Sequence, residues 1–361
     1  IGLLQSPGYV ANGTLTLGDT DLRNLSPAEA HKVRGDRISM IFQDPQTSLN
    51  PLMTIERQLI ETIQTHSTVS ESEARNRAVD LLEEIGIKNA AERIKAYPHQ
   101  FSGGMRQRVV IALAISTDPE LVIADEPTTA LDVAVQSQVL DLIQRLAKER
   151  QIAFMLITHD IGVIAQVADR VTVMRKGRVM ETGVTAQVLG KPQHHYTQQL
   201  MDSVPPLDRK IDRFRVPEAD DTIASNGAMA ENWLLEGSQH ARTGLSLTGL
   251  SVKFAGPRTS IFRKPPPYVA LDDVTLNIKP GSIMGLVGES GSGKSTLAKA
   301  ITGLVTPSSG TMELGDDVLP YGKSRSRQHP SRQLIQMVFQ DPYSSLNSRH
   351  RIGDILTEPL W

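Results

Sequence analysis

Gly288-Glu289-Ser290-Gly291-Ser292-Gly293-Lys294-Ser295-Thr296 fills every fixed position of G-x-x-x-x-G-K-[ST], the spacing of a phosphate-binding loop. Ile283-Met284-Gly285-Leu286-Val287 before it reads as a strand, and Leu297-Ala298-Lys299-Ala300-Ile301 after it reads as a helix. Such a loop needs that strand–loop–helix setting. Its glycines let backbone N–H groups converge on an anion, and the helix N-terminus adds positive potential. Lys294 is placed to neutralise the outer phosphates and Ser295 to ligate Mg²⁺. An ordinary Gly/Ser turn is the plain alternative, and the flanking elements weigh against it.

Outward from the loop, the chain repeats itself. Ile41-Phe42-Gln43-Asp44-Pro45 returns as Val338-Phe339-Gln340-Asp341-Pro342, and Ser48-Leu49-Asn50 as Ser345-Leu346-Asn347. Gly13-Thr14-Leu15-Thr16-Leu17-Gly18-Asp19 returns as Gly310-Thr311-Met312-Glu313-Leu314-Gly315-Asp316. All three pairs lie 297 positions apart (41 to 338, 48 to 345, 13 to 310), so one register relates them and a duplicated domain is expected. Residues 205–244 are polar, broken by Pro and Gly, and without sustained periodicity, which is the composition of a linker. Two copies of about 257 residues with that linker would need about 550 residues, and 361 are present. The first copy is therefore expected to lack its start and the second its end, with bounds of 1–204 and 245–361.

Composition narrows the function classes. The 361 residues carry 38 Lys+Arg against 40 Asp+Glu, a net charge of −2, which argues against a general binder of nucleic acid or anionic membranes. Without cysteine the chain has no disulfide, thiolate zinc site, iron–sulfur cluster or cysteine nucleophile. The longest fully apolar run, Val109 to Ile115, is far short of the roughly 18–20 residues that span a bilayer. No N-terminal stretch has the layout of a signal peptide, and the chain opens on Ile1 rather than Met, so it need not begin where its gene does.

The remaining chemistry clusters in the first copy. Leu121-Val122-Ile123-Ala124 and Ala153-Phe154-Met155-Leu156-Ile157 are continuous apolar runs, expected as strands buried on both faces. Between them Val135, Val139, Leu140, Leu142, Ile143 and Leu146 make a helical stripe, so the segment reads as a βαβ unit. The first strand ends in Asp125 and Glu126; an Asp there can hold Mg²⁺ through water, and the adjacent Glu can act as general base. A solvated acidic turn is the bland reading of that pair alone. His159 closes the next strand, 33 residues after Glu126, where it would meet the same phosphate. Phe101-Ser102-Gly103-Gly104-Met105 precedes an apolar helical stripe, with Ser102 as its cap and Arg106 and Arg108 nearby. That entrance is a second potential anion site or a plain helix cap.

In order and spacing, Gln43, Phe101–Met105, Leu121–Glu126, Ala130–Asp132 and His159 resemble an ABC-type nucleotide-binding domain, over about residues 1–204 and 245–361. The resemblance implies an α/β P-loop NTPase core in two copies, the first truncated at its N-terminus and the second at its C-terminus. It implies ATP and Mg²⁺ as cofactors. Gly288, Glu289, Ser290, Gly291, Ser292, Gly293, Lys294, Ser295 and Thr296 would form the Walker A loop. Gln43 and Gln340 would be Q-loop glutamines that touch Mg²⁺ and relay to a membrane partner. Ser102, Gly103 and Gly104 keep the centre of the signature, although Phe101 and Met105 stand where Leu and Gln are common. Asp125 and Glu126 would end Walker B, Ala130–Asp132 would be the D-loop, and His159 the switch histidine. Phe254 matches the aromatic that stacks on adenine, with Tyr268 as a second candidate.

A narrower resemblance is to the dipeptide, oligopeptide and glutathione importer ATPases. It rests on Phe-Gln-Asp-Pro followed by Ser-Leu-Asn, Tyr97-Pro98-His99-Gln100, Met105-Arg106-Gln107-Arg108 and Pro192-Gln193-His194-His195-Tyr196-Thr197, with His195 where Pro is usual. It implies ATP hydrolysis that powers solute import from the cytoplasmic face of the inner (plasma) membrane. The partners would be two transmembrane permease subunits and a solute-binding protein, with no nucleic acid and no direct cargo contact. The two copies would pair head to tail, one copy's phosphate loop facing the other's signature. The Lys294 site lacks its own Walker B here, and the Glu126 site lacks a Walker A, so the 361 residues alone are expected to hydrolyse little or nothing. A soluble two-copy ABC ATPase acting on ribosomes is an alternative, although that group usually carries a long charged helical connector. An inactive truncated product is another.

Overall fold

The computed structural model describes residues 1–2, 4, 8–129, 131–204, 243–255, 267–289, 291–321, 334–339, 345–347 and 349–358. The chain divides into two compact units, Ile1–Asn226 and Gly227–Trp361. Among the described residues no helix is long and apolar enough to cross a membrane.

The first unit opens with a short hairpin, β1 (Thr16–Leu17) and β2 (Thr20–Asp21), and helix α1 (Pro27–Val33). Strand β3 (Ile38–Ile41) follows, then α2 (Pro45–Ser48), α3 (Ile55–His66), α4 (Glu71–Glu84) and α5 (Ala90–Arg93). Thr54 and Ser70 cap α3 and α4 by accepting from Arg57 and Glu73 N–H groups. Ile55, Leu59 and Ile63 recur at helical spacing along α3 and are buried with Ala74, Ala78 and Leu82 of α4. Helix α6 (Gly103–Ile115) is apolar on all sides from Val109 to Ile115 and packs on β3 and on α3, α4 and α7 (Val133–Glu149). A helix with no polar face beyond its first two turns has to sit inside the unit.

Strand β4 (Leu121–Asp125), α7 and β5 (Ala153–Ile157) form the expected βαβ unit. The sheet order is β3-β4-β5, all parallel, with Ile41 opposite Ala124 and Asp125 opposite Ile157. The Asp132 side chain caps α7 by accepting from Val135 N–H at 2.9 Å. At the far end of α7, Arg150 binds Glu84 through Nε at 2.9 Å and Nη2 at 2.6 Å, fastening α7 to α4. After α8 (Ile161–Val167) come the hairpin β6 (Arg170–Arg175) and β7 (Arg178–Val184), then α9 (Thr185–Gly190) and α10 (His195–Asp202). Glu181 on β7 accepts the Gln193 and His194 N–H groups at 2.9 and 3.2 Å, and the Arg175 guanidinium lies 4.8 Å from the Tyr196 ring centre. The Pro192–Thr197 motif thus docks the start of α10 onto the hairpin.

The second unit is built on an antiparallel sheet in the order β11-β10-β8-β9: β8 (Leu245–Phe254), β9 (Tyr268–Ile278), β10 (Ser309–Leu314) and β11 (Asp317–Val318). The helix Lys294–Ile301 contributes Leu297 and Ala300 to a core with Leu247, Leu250, Val252, Leu271 and Met312. Local geometry repeats with the sequence. Thr16 pairs with Asp21 and Leu17 with Thr20; 297 positions on, Glu313 pairs with Val318 and Leu314 with Asp317. Helices begin at Ile55 and, in the same register, at Ile352.

Two expectations are corrected. Residues 283–287 do not form a strand, and Ile283 and Val287 are essentially fully exposed. An apolar strand persists where neighbours satisfy its backbone donors and acceptors. Ile38–Ile41 has Leu121–Ala124 beside it, whereas among the described residues no strand pairs with 283–287. Nor is β5 buried on both faces: Met155 and Ile157 are exposed while Phe154 and Leu156 are half-buried. It lies at the edge of its sheet with the helical core on one side, so alternate side chains face outward.

Candidate functional site

Because β3, β4 and β5 run parallel, their C-terminal ends share one edge of the sheet, the position where open α/β sheets bind ligands. Gln43 stands two residues beyond β3, Asp125 ends β4 with Glu126 next to it, and His159 stands two residues beyond β5. Glu126 N–H donates to the Ile157 carbonyl at 2.8 Å, extending the ladder by one residue. The chain then turns sharply: Glu126 has φ +48°, and its carbonyl accepts the Thr129 N–H at 3.1 Å.

That turn delivers the Glu126 carboxylate to three partners. Its Oε1 lies 2.9 Å from His159 Nδ1, and its Oε2 accepts from Gln43 Nε2 and from the Thr129 hydroxyl, both at 2.9 Å. The His159 contact, then the Thr129 hydroxyl, hold the Glu126 carboxyl below its usual range, so it is a carboxylate at neutral pH. The Glu126 side chain is 21% exposed and that of His159 76%, which leaves the imidazole open to a ligand. Asp125 is half-buried at the last paired position of β4. An oriented, charged carboxylate beside an exposed imidazole can take a proton from water at a phosphate.

The glycine-rich loop of the second unit is placed by its helix and by β9. Gly293 caps the helix Lys294–Ile301 with φ +96°, and a Cβ there would lie 2.6 Å from the Ala270 carbonyl oxygen. Only glycine allows both the turn and this approach to the strand. The Lys294 ammonium curls over the loop, donating to the Gly288 and Glu289 carbonyls at 2.6 and 2.7 Å and to Ser292 Oγ at 3.3 Å. Ser295 is exposed and Thr296 half-buried on the first turn of the helix, with Gly291 in the bend before it. Phe254 and Tyr268 face each other across β8 and β9 at the end of the sheet nearest Ala270, both well exposed. Ammonium, hydroxyl and helix-terminal amides suit a phosphate.

Among the described residues no group of three or more acidic or imidazole side chains could hold a metal alone. Mg²⁺ commonly takes one or two carboxylates plus substrate phosphates; Asp125 is a carboxylate at the end of β4, and Ser295 a hydroxyl on the first turn of the second unit's helix.

Ser102 caps α6, its Oγ accepting the Met105 N–H at 3.4 Å, so this hydrogen bond of the signature-like entrance stays within its own helix. Gly103 and Gly104 start α6 for different reasons. A Cβ on Gly104 would meet Val135 Cγ1 at 2.3 Å, whereas one on Gly103 would find nothing nearer than Leu131 Cδ2 at 4.0 Å. Gly104 is dictated by the packing of α6 on α7; the fold leaves Gly103 free. Ser290, Gln340 and Ala130 lie outside the described residues. Thr129 is not among the residues that the sequence singles out; the available signal was a hydroxyl three residues after the carboxylate, in the same turn.

Residues 2–129 and 271–355 match the ABC transporter family, and residues 180–228 match the C-terminal region of oligopeptide/dipeptide transporters. Over 351 residues the chain is 39% identical to the peptidoglycan transport ATP-binding protein YejF of Agrobacterium fabrum, an alignment covering 97% of this chain and 59% of that protein. It is 40% identical over 349 residues to the glutathione import ATP-binding protein GsiA of Salmonella choleraesuis, covering 94% of this chain and 55% of that one. The chain thus spans somewhat over half the length of the curated relatives it matches. With the family matched across residues of both units, including Gln43, Glu126, Thr129 and the Lys294 loop, the chain belongs to the ABC transporter family.

Proposed function

We propose that the intact polypeptide binds and hydrolyses ATP to power an importer for peptides or related small solutes. The observation that carries the reading is Glu126, a charged carboxylate fixed at the end of β4 by Gln43 and His159 from the two flanking strands. The names of the relatives, which move peptidoglycan and glutathione, and the match to oligopeptide/dipeptide transporters support the solute class. When bound, Mg²⁺–ATP supplies the terminal phosphoryl group and the cation that screens its charge. Lys294 pairs with the outer phosphate oxygens, and loop amides orient them. Phe254 stacks on the base. At the other nucleotide site, Glu126 would accept the proton of the attacking water on a carboxylate oxygen, with His159 beside the phosphate. Ser295 and Gln340 would hold Mg²⁺ at the Lys294 site, and Asp125 and Gln43 at the Glu126 site.

The chain carries two copies of the nucleotide-binding domain, over 1–204 and 245–361. The single register of 297 positions and the repeated hairpin pairing support this. In the intact transporter the copies pair head to tail, with Ser102, Gly103 and Gly104 of one completing the nucleotide site of the other. Two transmembrane permeases and a solute-binding protein complete the machine at the cytoplasmic membrane face.

The test is a pair of variants in the intact polypeptide. Lys294→Ala is expected to lose nucleotide binding at one site. Glu126→Gln is expected to keep binding and lower turnover by roughly two to four orders of magnitude. Unchanged turnover in both variants would overturn the assignment.

A further inference from the structure

The geometry points to Thr129 as a positioning residue for hydrolysis: its hydroxyl, on the turn that follows β4, fixes the orientation of the Glu126 carboxylate. This rests on Glu126 acting as the base, and it assigns a role to a residue that the phosphate chemistry above does not use. Thr129 Oγ1 donates to Glu126 Oε2 at 2.9 Å, and the same two residues are joined through the backbone, Thr129 N–H to Glu126 C=O, at 3.1 Å. The two bonds make one tight ring in which the carboxylate cannot rotate without losing the hydroxyl.

The other two partners of Glu126 come from separate strand ends, Gln43 after β3 and His159 after β5. Either one is drawn away when it engages a phosphate or a cation. Thr129 belongs to the same turn as Glu126 and moves with it. It is therefore the donor that stays on the carboxylate when Gln43 and His159 leave. A bound donor on Oε2 leaves Oε1, the oxygen now facing His159, as the one presented to water. Pre-fixing that geometry lowers the reorganisation needed at the moment of proton transfer.

A purely structural reading of Thr129 meets two difficulties. Its side chain is exposed, whereas its neighbour Thr128 is buried and belongs to the packing of the turn. The cap of α7 is supplied by Asp132 and needs no help from Thr129. The hydroxyl thus contributes to no core and no helix end, and its side-chain bond goes to the carboxylate.

The test uses Thr129→Val, which keeps shape and removes the donor, and Thr129→Ser, which keeps the donor, in the intact polypeptide with steady-state ATP hydrolysis. Valine is expected to lower kcat about tenfold, the size carried by one hydrogen bond to a charged group, with KM for ATP and the melting temperature unchanged. Serine is expected to restore kcat. A valine variant with unaltered kcat overturns the proposal. So does an equal loss in both variants, which would make the methyl group the important part, or a rise in KM at constant kcat. Glu126→Gln in the same assay separates the two readings: if it retains turnover, the assignment of the base fails, and if it abolishes turnover while valine is silent, only the role of Thr129 fails.

Discussion

Gly103 and Gly104 illustrate how much a single position can owe to its surroundings. Both start α6, neither has an unusual backbone, and the sequence offers no way to rank them. Gly104 faces Val135, a β-branched residue with little rotamer freedom, at a distance no Cβ could occupy. Gly104→Ala is expected to destabilise the protein by about 1–3 kcal/mol, through overpacking between α6 and α7. Gly103→Ala meets open space, and the gain in helix propensity is expected to hold or raise the melting temperature. Thermal denaturation of the two variants side by side checks this; equal losses would show that the α6–α7 contact is not what selects Gly104. Glu126 is the complementary case. Its residue type and place after an apolar strand are plain in the sequence, yet its partners come from 83 residues upstream and 33 downstream. No local pattern reports such distances.

At the scale of elements, the helices and the parallel strands follow from periodicity and caps. The stripe Ile55, Leu59, Ile63 and the cap Thr54 specify α3 before any tertiary contact is known. Ala153–Ile157 forms its strand as its apolar run predicts, but its exposed alternate side chains reflect an edge position in the sheet, which composition does not encode. The start of α10 is held by Glu181, whose carboxyl lies below its usual range because the Gln193 N–H, with that of His194, binds the charged form. A group whose folded pKa is depressed contributes stability above its unfolded value, about 4.3 for Glu, and loses it as pH falls through the folded value. Wild type is therefore expected to melt higher than Glu181→Gln at neutral pH, with the gap closing on acidification below the ordinary carboxylate range. A gap that persists in acid would assign the effect to packing rather than charge.

For the whole molecule, the two units present their apolar runs differently. Ile41 is fully buried in the first unit, whereas its counterpart Val338 is exposed, as are Ile283 and Val287 of the same unit. Uncovered apolar segments of this kind drive association. The 361-residue chain is expected to self-associate with rising concentration in sedimentation velocity. The double variant Ile283→Asn, Val287→Asn is expected to weaken that association without altering the first unit's fold. A chain that stays monomeric across the accessible range would contradict this.

The helix that begins at Lys294, the strand that ends in Asp125, the cap at Ser102 and the 297-residue register are properties of contiguous residues, so the sequence alone determined them. Local chemistry suffices there, because glycine freedom, helix capping and apolar periodicity act over a few neighbours. The tertiary structure alone decided which apolar run becomes a paired strand, which glycine is forced by packing, and that Gln43, Thr129 and His159 meet on one carboxylate. Those outcomes depend on which backbone edges and side chains face each other across the sheet, and that pairing is set by burial of the whole core rather than by any segment within it.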